Sequence, residues 1–121
     1  MNQRFTCPCC GFRTLHEFPG SYEICKVCFW EDDPVQLLDP AYRGGANTLS
    51  LKESQENFKK LRVSDDRFIK SVRPPGPDEE RDPQWRPVVD ADLTRARTPS
   101  ELSEAEHRRL ETWYYWKWES T

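Results

Sequence analysis

The sequence predicts a small α+β domain, and three observations lead to this prediction. Two Cys-x2-Cys pairs, Cys7/Cys10 and Cys25/Cys28, lie near the start of the chain and are separated by residues 11–24. Pairs at this spacing are typical of short strands that close around a metal ion. A helix-start signature follows at Ser50, and a second one precedes an aromatic stretch near the C-terminus. We therefore expect a zinc-ribbon-like β module with one capped helix and a C-terminal helix packed on it.

The paired cysteines predict a structural metal site. Four thiolates are soft ligands, and this donor set selects Zn²⁺ over hard cations. Cys7, Cys10, Cys25 and Cys28 are therefore the predicted ligands of one zinc ion. A site with four protein ligands leaves no open position for a substrate, and no nucleophile and base recur together elsewhere in the sequence. The sequence thus predicts that the protein is not an enzyme.

A fifth cysteine, Cys9, lies inside the first pair. Gly11 follows Cys10 and permits a tight turn, which makes Cys7 and Cys10 the natural pair. Cys9 is then interpreted as a small, inert filler, and a reactive thiol beside the metal is the alternative. With four thiolates available, neither His16 nor His107 is expected to bind the metal.

Composition favours a metal-stabilised protein of the cytoplasm. Of the 121 residues, 36% are hydrophobic and ten are proline, so the core is lean and a metal would compensate for this. All five cysteines fall within the first 28 residues, which favours thiolates on a metal over a spread of disulfides. The sequence contains neither an apolar run of membrane-spanning length nor the hydrophobic stretch of a signal peptide. We expect no membrane association.

Three segments are predicted along the chain. Residues 5–72 form the zinc-binding domain, which includes a short strand through Tyr22 and Ile24 and a helix that begins with a Ser50–Glu53 capping box. The Gly-Gly-Ala-Asn run at 44–47 is interpreted as a tight turn. Residues 73–98 are rich in proline and charge and are predicted to be a linker. Residues 99–118 are predicted to form a C-terminal aromatic helix.

Two surfaces are candidates for binding a protein partner. One is the acidic stretch Trp30, Glu31, Asp32 and Asp33, and the alternative is that Trp30 packs on the metal turn while the acids solvate or cap the next helix. The other candidate comprises Trp113 and Trp116 of the aromatic helix, whose side chains cannot all face one core. The net charge of −3 makes a nucleic-acid partner unlikely by electrostatics alone.

Several motifs in order resemble the CPCC family of bacterial cysteine-rich proteins. These motifs are Cys7-Pro8-Cys9-Cys10-Gly11, residues 20–25, residues 27–33, residues 44–47 and Asn57-Phe58, and together they span about residues 5–75. The family has no established activity. The resemblance therefore implies a bacterial origin and a metal-held domain, and it implies nothing about residues from Gly76 onward.

The leading functional prediction is a non-enzymatic protein-binding module, with a bacterial antidote (immunity) protein that blocks a toxin as its narrower form. Two alternatives stay open. A zinc-ribbon adaptor for nucleic acid would require six basic residues to converge on one face: Arg4, Arg13, Lys26, Lys59, Lys60 and Arg62. A thiol or zinc sensor would require an exposed Cys9 with a depressed pKa.

Overall fold

A β-hairpin opens the structure, a computed structural model that describes residues 4–118. Strand β1 (Phe5–Thr6) pairs with strand β2 (Arg13–Leu15) as a two-stranded antiparallel sheet. Phe5 lies opposite Leu15, and a bulge follows in the register. The turn of this hairpin carries the first cysteine pair, so the sheet positions half of the predicted metal site.

Two helices follow the hairpin. Helix α1 (Pro34–Leu38) is short, and helix α2 (Leu51–Leu61) is the longest of the described chain. The predicted capping box at α2 is confirmed: Glu53 N donates to Ser50 Oγ and Ser50 N donates to Glu53 Oε1, both at 3.0 Å. Within residues 4–118, no helix has the length and apolar character needed to cross a membrane. A 3-10 helix (Asp66–Ser71) then leads away from α2.

The segment predicted to be a linker, residues 73–98, is packed against the hairpin. Arg13 N donates to Glu80 O at 2.8 Å, and Asp82 N donates to Gly11 O at 2.8 Å. Some of the charged side chains that suggested a solvated linker are paired instead: Arg73 binds Glu79, and Arg86 binds the buried carboxylate of Asp92. The segment also contains helix α3 (Asp90–Leu93). The prediction of an extended linker is wrong.

The predicted continuous helix over 99–118 is also wrong. The structure divides this stretch into a 3-10 helix (Pro99–Glu101), helix α4 (Glu104–His107), helix α5 (Leu110–Trp113) and a 3-10 helix (Tyr115–Lys117). The breaks allow three consecutive aromatic side chains to be buried together: Trp113, Tyr114 and Tyr115. In one regular helix these neighbours would point about 100° apart and could not all face the core.

Candidate metal centre

The first cysteine pair lies in the hairpin turn between β1 and β2. Gly11 N donates to Cys7 O at 2.9 Å, and Cys7 N donates to Phe12 O at 2.9 Å. Gly11 has a φ of +81°, the left-handed conformation that favours glycine. A Cβ atom at Gly11 would also lie 2.6 Å from Trp85 Cδ2. The turn therefore requires glycine both for its backbone and for the close approach of Trp85.

The second cysteine pair repeats this hydrogen-bond pattern. Phe29 N donates to Cys25 O at 2.8 Å, and Cys25 N donates to Trp30 O at 2.9 Å. A single β-bridge joins Ile24 and Glu31 across the base of the turn. The strand predicted through Tyr22 is reduced to this bridge. Phe29 holds the left-handed position that Gly11 occupies in the first turn, with a φ of +70°.

The two turns bring all four outer cysteines together. The Sγ atoms of Cys7, Cys10, Cys25 and Cys28 lie within 4.8 Å of one another. Cys7 Sγ is 3.6 Å from Cys28 Sγ, and Cys10 Sγ is 3.8 Å from Cys25 Sγ. A regular tetrahedron with Zn–S bonds of about 2.3 Å has sulfur–sulfur edges of about 3.8 Å. The cluster therefore fits a single tetrahedral metal ion, and the full burial of the four residues leaves no side open to solvent.

The electrostatics of the cluster also favour a cation. Burial raises the pKa of the Cys7, Cys10 and Cys28 thiols well above its ordinary value. The pKa of Cys25 is lowered instead, because Cys10 and then its other cysteine neighbours hydrogen-bond to it. Thr14 Oγ1 also lies 3.0 Å from Cys25 Sγ. Four buried thiolates need a compensating positive charge, which a bound metal ion supplies.

The remaining candidate ligands lie outside the cluster. Cys9 is 1% exposed, which is in line with an inert filler and does not match an accessible reactive thiol. The exposed His16 ring pairs with Glu23, with Nδ1 3.0 Å from Oε2. His107 is exposed and lies in α4.

The acidic stretch after Cys28 does not form an exposed patch. Trp30 is fully buried in the core, Asp32 and Asp33 are 1% and 4% exposed, and Glu31 is half-buried. Asp33 caps α1 by accepting from Val35 N at 2.8 Å. The alternative of a packed tryptophan followed by a capping acid is therefore the correct one. The expectation of a partner surface is wrong for Trp30, Asp32 and Asp33, whose side chains are buried, and Glu31 alone of the four keeps a partly accessible side chain.

Gln36 holds the glycine-rich loop in place, a role that the sequence analysis missed. Its buried Nε2 shares its two N–H groups among the carbonyls of Tyr42, Asn47 and Leu49, at 3.0–3.1 Å. Its Oε1 accepts from Asn47 N at 3.0 Å and from Asn47 Nδ2 at 2.9 Å. Asn47 in turn pairs with both backbone groups of Glu31. The loop at 44–47 is thus a structural turn, as predicted, and it braces the chain just beyond the second cysteine pair.

The C-terminal half covers the first cysteine turn. Pro8 O accepts from Gln55 Nε2 and from Trp85 Nε1, both at 2.9 Å. Gln55 also binds Tyr115 Oη at 2.8 Å and accepts from Val88 N at 2.8 Å. The contact of Trp85 with Pro8 had a signal in the sequence, because an isolated tryptophan in a proline-rich stretch is expected to pack against another part of the fold.

The two tryptophans predicted as exposed anchors are not free surface groups. Trp113 is 5% exposed, and its Nε1 donates to His107 O at 3.0 Å. Trp116 is half-buried and stacks on Tyr114, with ring centroids 4.4 Å apart. Both residues hold the C-terminal segment together, so the expected partner surface there is reduced to the exposed part of Trp116.

Asp32 is a buried carboxyl group that the fold only partly satisfies. Its Oδ2 accepts from Gly20 N at 3.0 Å, while its Oδ1 has no hydrogen-bond partner among the described residues. Burial raises the pKa of Asp32 from 3.8 to about 7, and the negative charge of Glu23 adds to this shift. Because the folded-state pKa lies above the unfolded-state value, the stability due to Asp32 falls as the pH rises from about 4 to about 7.

We expect Asp32→Asn to be more stable than the parent protein at pH 8, by on the order of 3 kcal/mol, because the variant buries no charge. The advantage should shrink as the pH is lowered towards 5, where the parent carboxyl is protonated. Urea unfolding of both proteins at several pH values measures the difference in their free energy of unfolding. The cysteines are the same in both proteins, so their contribution cancels in this difference. The exposed Asp90→Asn is the control and should follow the parent. A constant difference between Asp32→Asn and the parent at all pH values would contradict the prediction.

Comparison with known proteins identifies one family. The model of a family described as Cysteine-rich CPCC matches residues 5–79. The match covers more than half of the chain, including both cysteine pairs, α1 and α2, and it ends where the C-terminal half begins to cover the first cysteine turn. No curated protein matches the chain.

Proposed function

The chain belongs to the cysteine-rich CPCC family, and from this premise we propose that it is a non-enzymatic protein whose fold is held by one Zn²⁺ ion and which binds another protein. The observation that carries the proposal is the closed cluster of four buried cysteines. All-sulfur tetrahedral coordination is typical of structural zinc. When bound, the ion would stabilise the fold, and the residues that would hold it are Cys7, Cys10, Cys25 and Cys28.

Burial of the cluster is what supports a non-enzymatic role. A catalytic zinc keeps one coordination position for water or substrate, whereas four sulfur ligands fill a tetrahedron. Thr14 contacts a ligand sulfur, and its hydroxyl group serves to position Cys25. The metal site would therefore position the surrounding surface, and function would reside on that surface.

Specific contacts weaken the two alternative functions. Arg4 pairs with Asp78 at 3.0 Å and Arg13 pairs with Asp82 at 3.5 Å, so neither offers a free charge to a phosphate backbone. A thiol sensor would need oxidants to reach Cys9, which is 1% exposed. These contacts favour protein binding over the other two functions.

A bacterial antidote that blocks a toxin is the narrower form of the proposal. Its support is the small size of the protein and its net charge of −3. The buried acidic stretch contributes no support. We expect affinity capture from the bacterial host to return one protein in a 1:1 ratio with the full chain.

Deletion of the gene should make the host sensitive to the toxin encoded beside it, and expression of the full chain should restore growth. The chain with Cys25→Ser, which cannot complete the metal site, is the control and should not restore growth. A host that stays resistant after the deletion would contradict the antidote role. Failure to capture any stoichiometric partner would contradict protein binding itself.

A further inference from the structure

Two cavities share the C-terminal end of α2 as a common wall. The first has a volume of about 360 Å³ and is lined by apolar side chains that include Leu61, Ile69 and Val72. The second has a volume of about 480 Å³ and lies between α2 and residues 81–88. Phe58 and Arg62 line both cavities. We call the combined feature the α2 groove, with an apolar half and a basic half.

The apolar half exposes side chains that would otherwise be expected in a core. Leu61 and Ile69 are 45% and 50% exposed. Pro74 and Pro75 extend the same wall. Among the residues that line this half, the structure shows no carboxylate. Contiguous apolar surface of this kind is typical of a site that a partner covers.

The basic half contains cations without partners. Lys59, Arg62 and Arg81 are exposed, and none of them forms an ion pair within residues 4–118. Glu56 is the one carboxylate among the described lining residues, and Lys52 already binds it at 3.1 Å. Three unmatched cations in one groove form a local positive field in a protein whose net charge is negative.

Aromatic rings orient two of these cations. The Arg62 guanidinium lies over the Phe58 ring, 5.1 Å from its centroid, and the Arg81 guanidinium lies 5.3 Å from the centroid of a Trp85 ring. Stacking of this kind limits the rotamers of a long side chain while its donors stay free. A guanidinium held in this way is well suited to bind a carboxylate through two parallel hydrogen bonds.

We propose that the α2 groove binds an acidic peptide segment with apolar anchor residues, contributed by the protein partner. The inference rests on the proposed function, because it assigns a surface and a chemistry to that partner. Leucine or phenylalanine side chains of the segment would occupy the apolar half, and its carboxylates would pair with Lys59, Arg62 and Arg81. Charge complementarity thus selects an acidic segment, and the aliphatic wall selects one that carries apolar side chains.

A single-stranded nucleic acid fits the groove less well. The apolar half is lined mainly by aliphatic and proline side chains, which offer no flat face for stacking a base. The two rings that also line it, Phe12 and Phe58, each already have a guanidinium over one face. Three free cations would also neutralise few phosphates. An oligonucleotide is therefore the competing probe in the test.

The test measures fluorescence anisotropy with the full zinc-loaded chain and a labelled 12-residue peptide that combines glutamates with leucine and phenylalanine anchors. Lys59→Glu should weaken binding of this peptide by about tenfold or more, because it removes an attractive charge and adds a repulsive one. Lys60→Glu is the matched control: it makes the same charge change one position along α2, and Lys60 lies outside the groove. Binding by Lys60→Glu should stay within about twofold of the parent.

The apolar half is tested by a second pair of variants. Ile69→Ser should weaken binding of the same peptide by about fivefold, because an exposed apolar contact is lost. Val89→Ser, at a similarly exposed position outside the groove, should leave the affinity unchanged. Circular dichroism and zinc content of each variant establish that it is folded before its affinity is compared.

Three results would overturn the inference. The first is an absence of peptide binding, the second is equal weakening by Lys59→Glu and Lys60→Glu, and the third is tighter binding of a 15-residue oligothymidine than of the peptide. Affinity capture of a partner from the bacterial host distinguishes a failure of this inference from a failure of the proposed function. A stoichiometric partner retained equally by the parent and by Lys59→Glu supports protein binding and overturns the groove as its site. Selective peptide binding without any captured partner supports the groove and overturns the proposed function.

Discussion

The purified full chain should carry one equivalent of zinc, and removal of this ion should unfold the protein. A structural zinc contributes roughly 10–16 kcal/mol of apparent binding energy at neutral pH. This matches or exceeds the whole stability of a typical domain, about 5–15 kcal/mol. The four thiols without metal would be a buried polar cluster in a lean core. Elemental analysis combined with circular dichroism during titration with a chelator measures both parts of the prediction.

Two cysteine substitutions distinguish the metal site from its surroundings. Cys25→Ser should abolish zinc binding and prevent folding, because it removes one of four ligands and the partner of Thr14. Cys9→Ser should keep one zinc ion and the fold, with a loss of about 1–3 kcal/mol for burying a hydroxyl group in an apolar position. A protein that remains folded and metal-free after chelation, or that carries iron as isolated, would contradict the assignment.

Replacement of Gln36 by leucine should be the most destabilising single change away from the cysteines. The variant keeps the approximate volume of the side chain but removes five hydrogen bonds. Four groups are left without a partner, the carbonyls of Tyr42, Asn47 and Leu49 together with Asn47 N, while Asn47 Nδ2 still donates to Glu31 O. Each buried group that loses its partner costs about 1–3 kcal/mol. Since the loop can relax towards water, we expect a total loss of about 3–5 kcal/mol in the free energy of unfolding.

Chemical denaturation of zinc-loaded protein measures this loss. Gln84→Leu is the matched control, because Gln84 is exposed and its side chain makes one surface bond, to Lys117 Nζ at 2.7 Å. The control should change the free energy of unfolding by less than about 0.5 kcal/mol. If both variants had the same stability, the network around Gln36 would contribute nothing to the fold.

Local chemistry made the metal cluster and helix α2 predictable from the sequence. The first turn closes because Cys7 and Cys10 are three residues apart and Gly11, which follows them, adopts the left-handed conformation. The Ser50–Glu53 box likewise depends on residues three apart, and the structure reproduces it. In the first cysteine turn and in the capping box, the hydrogen bonds that determine the local structure join residues only a few positions apart.

The packing of residues 73–118 could not be predicted in the same way. A run of charged residues predicts a solvent-exposed segment when their pairing partners are unknown. In the structure, Glu79 and Asp92 are buried, and each is paired with an arginine six residues before it. The predicted C-terminal helix ignored a second cap: Ser103 starts α4 with its own capping box after Leu102 adopts an extended backbone. Long-range contacts with the hairpin decided the path of residues 73–98, whereas the break after Leu102 follows the local Ser103–Glu106 capping signal.

The acidic stretch shows the same limit at the candidate site. Three consecutive acidic residues suggest an exposed patch, since unpaired carboxylates are rarely buried. Asp33 is buried because α1 and the loop amide of Ala46 both donate to it, the latter at 2.8 Å. The loop follows Asp33 by more than ten residues, and no periodicity in the sequence links the two. The α2 groove was not predicted either, because its second wall is formed by residues 81–88, which are distant from α2 in the sequence.

The carbonyl of Pro8, in the first cysteine turn, accepts hydrogen bonds from residues that are synthesised later than the four cysteines. All four cysteines of the cluster precede Gln55 and Trp85 in the sequence, so they are synthesised before these two residues. The two donors to Pro8 O come 47 and 77 residues later, from Gln55 and Trp85. Contacts of short sequence separation form before those of long separation. The cysteines could therefore bind a metal ion before Trp85 is synthesised, and the contacts of Gln55 and Trp85 with Pro8 would then cover the turn that holds it.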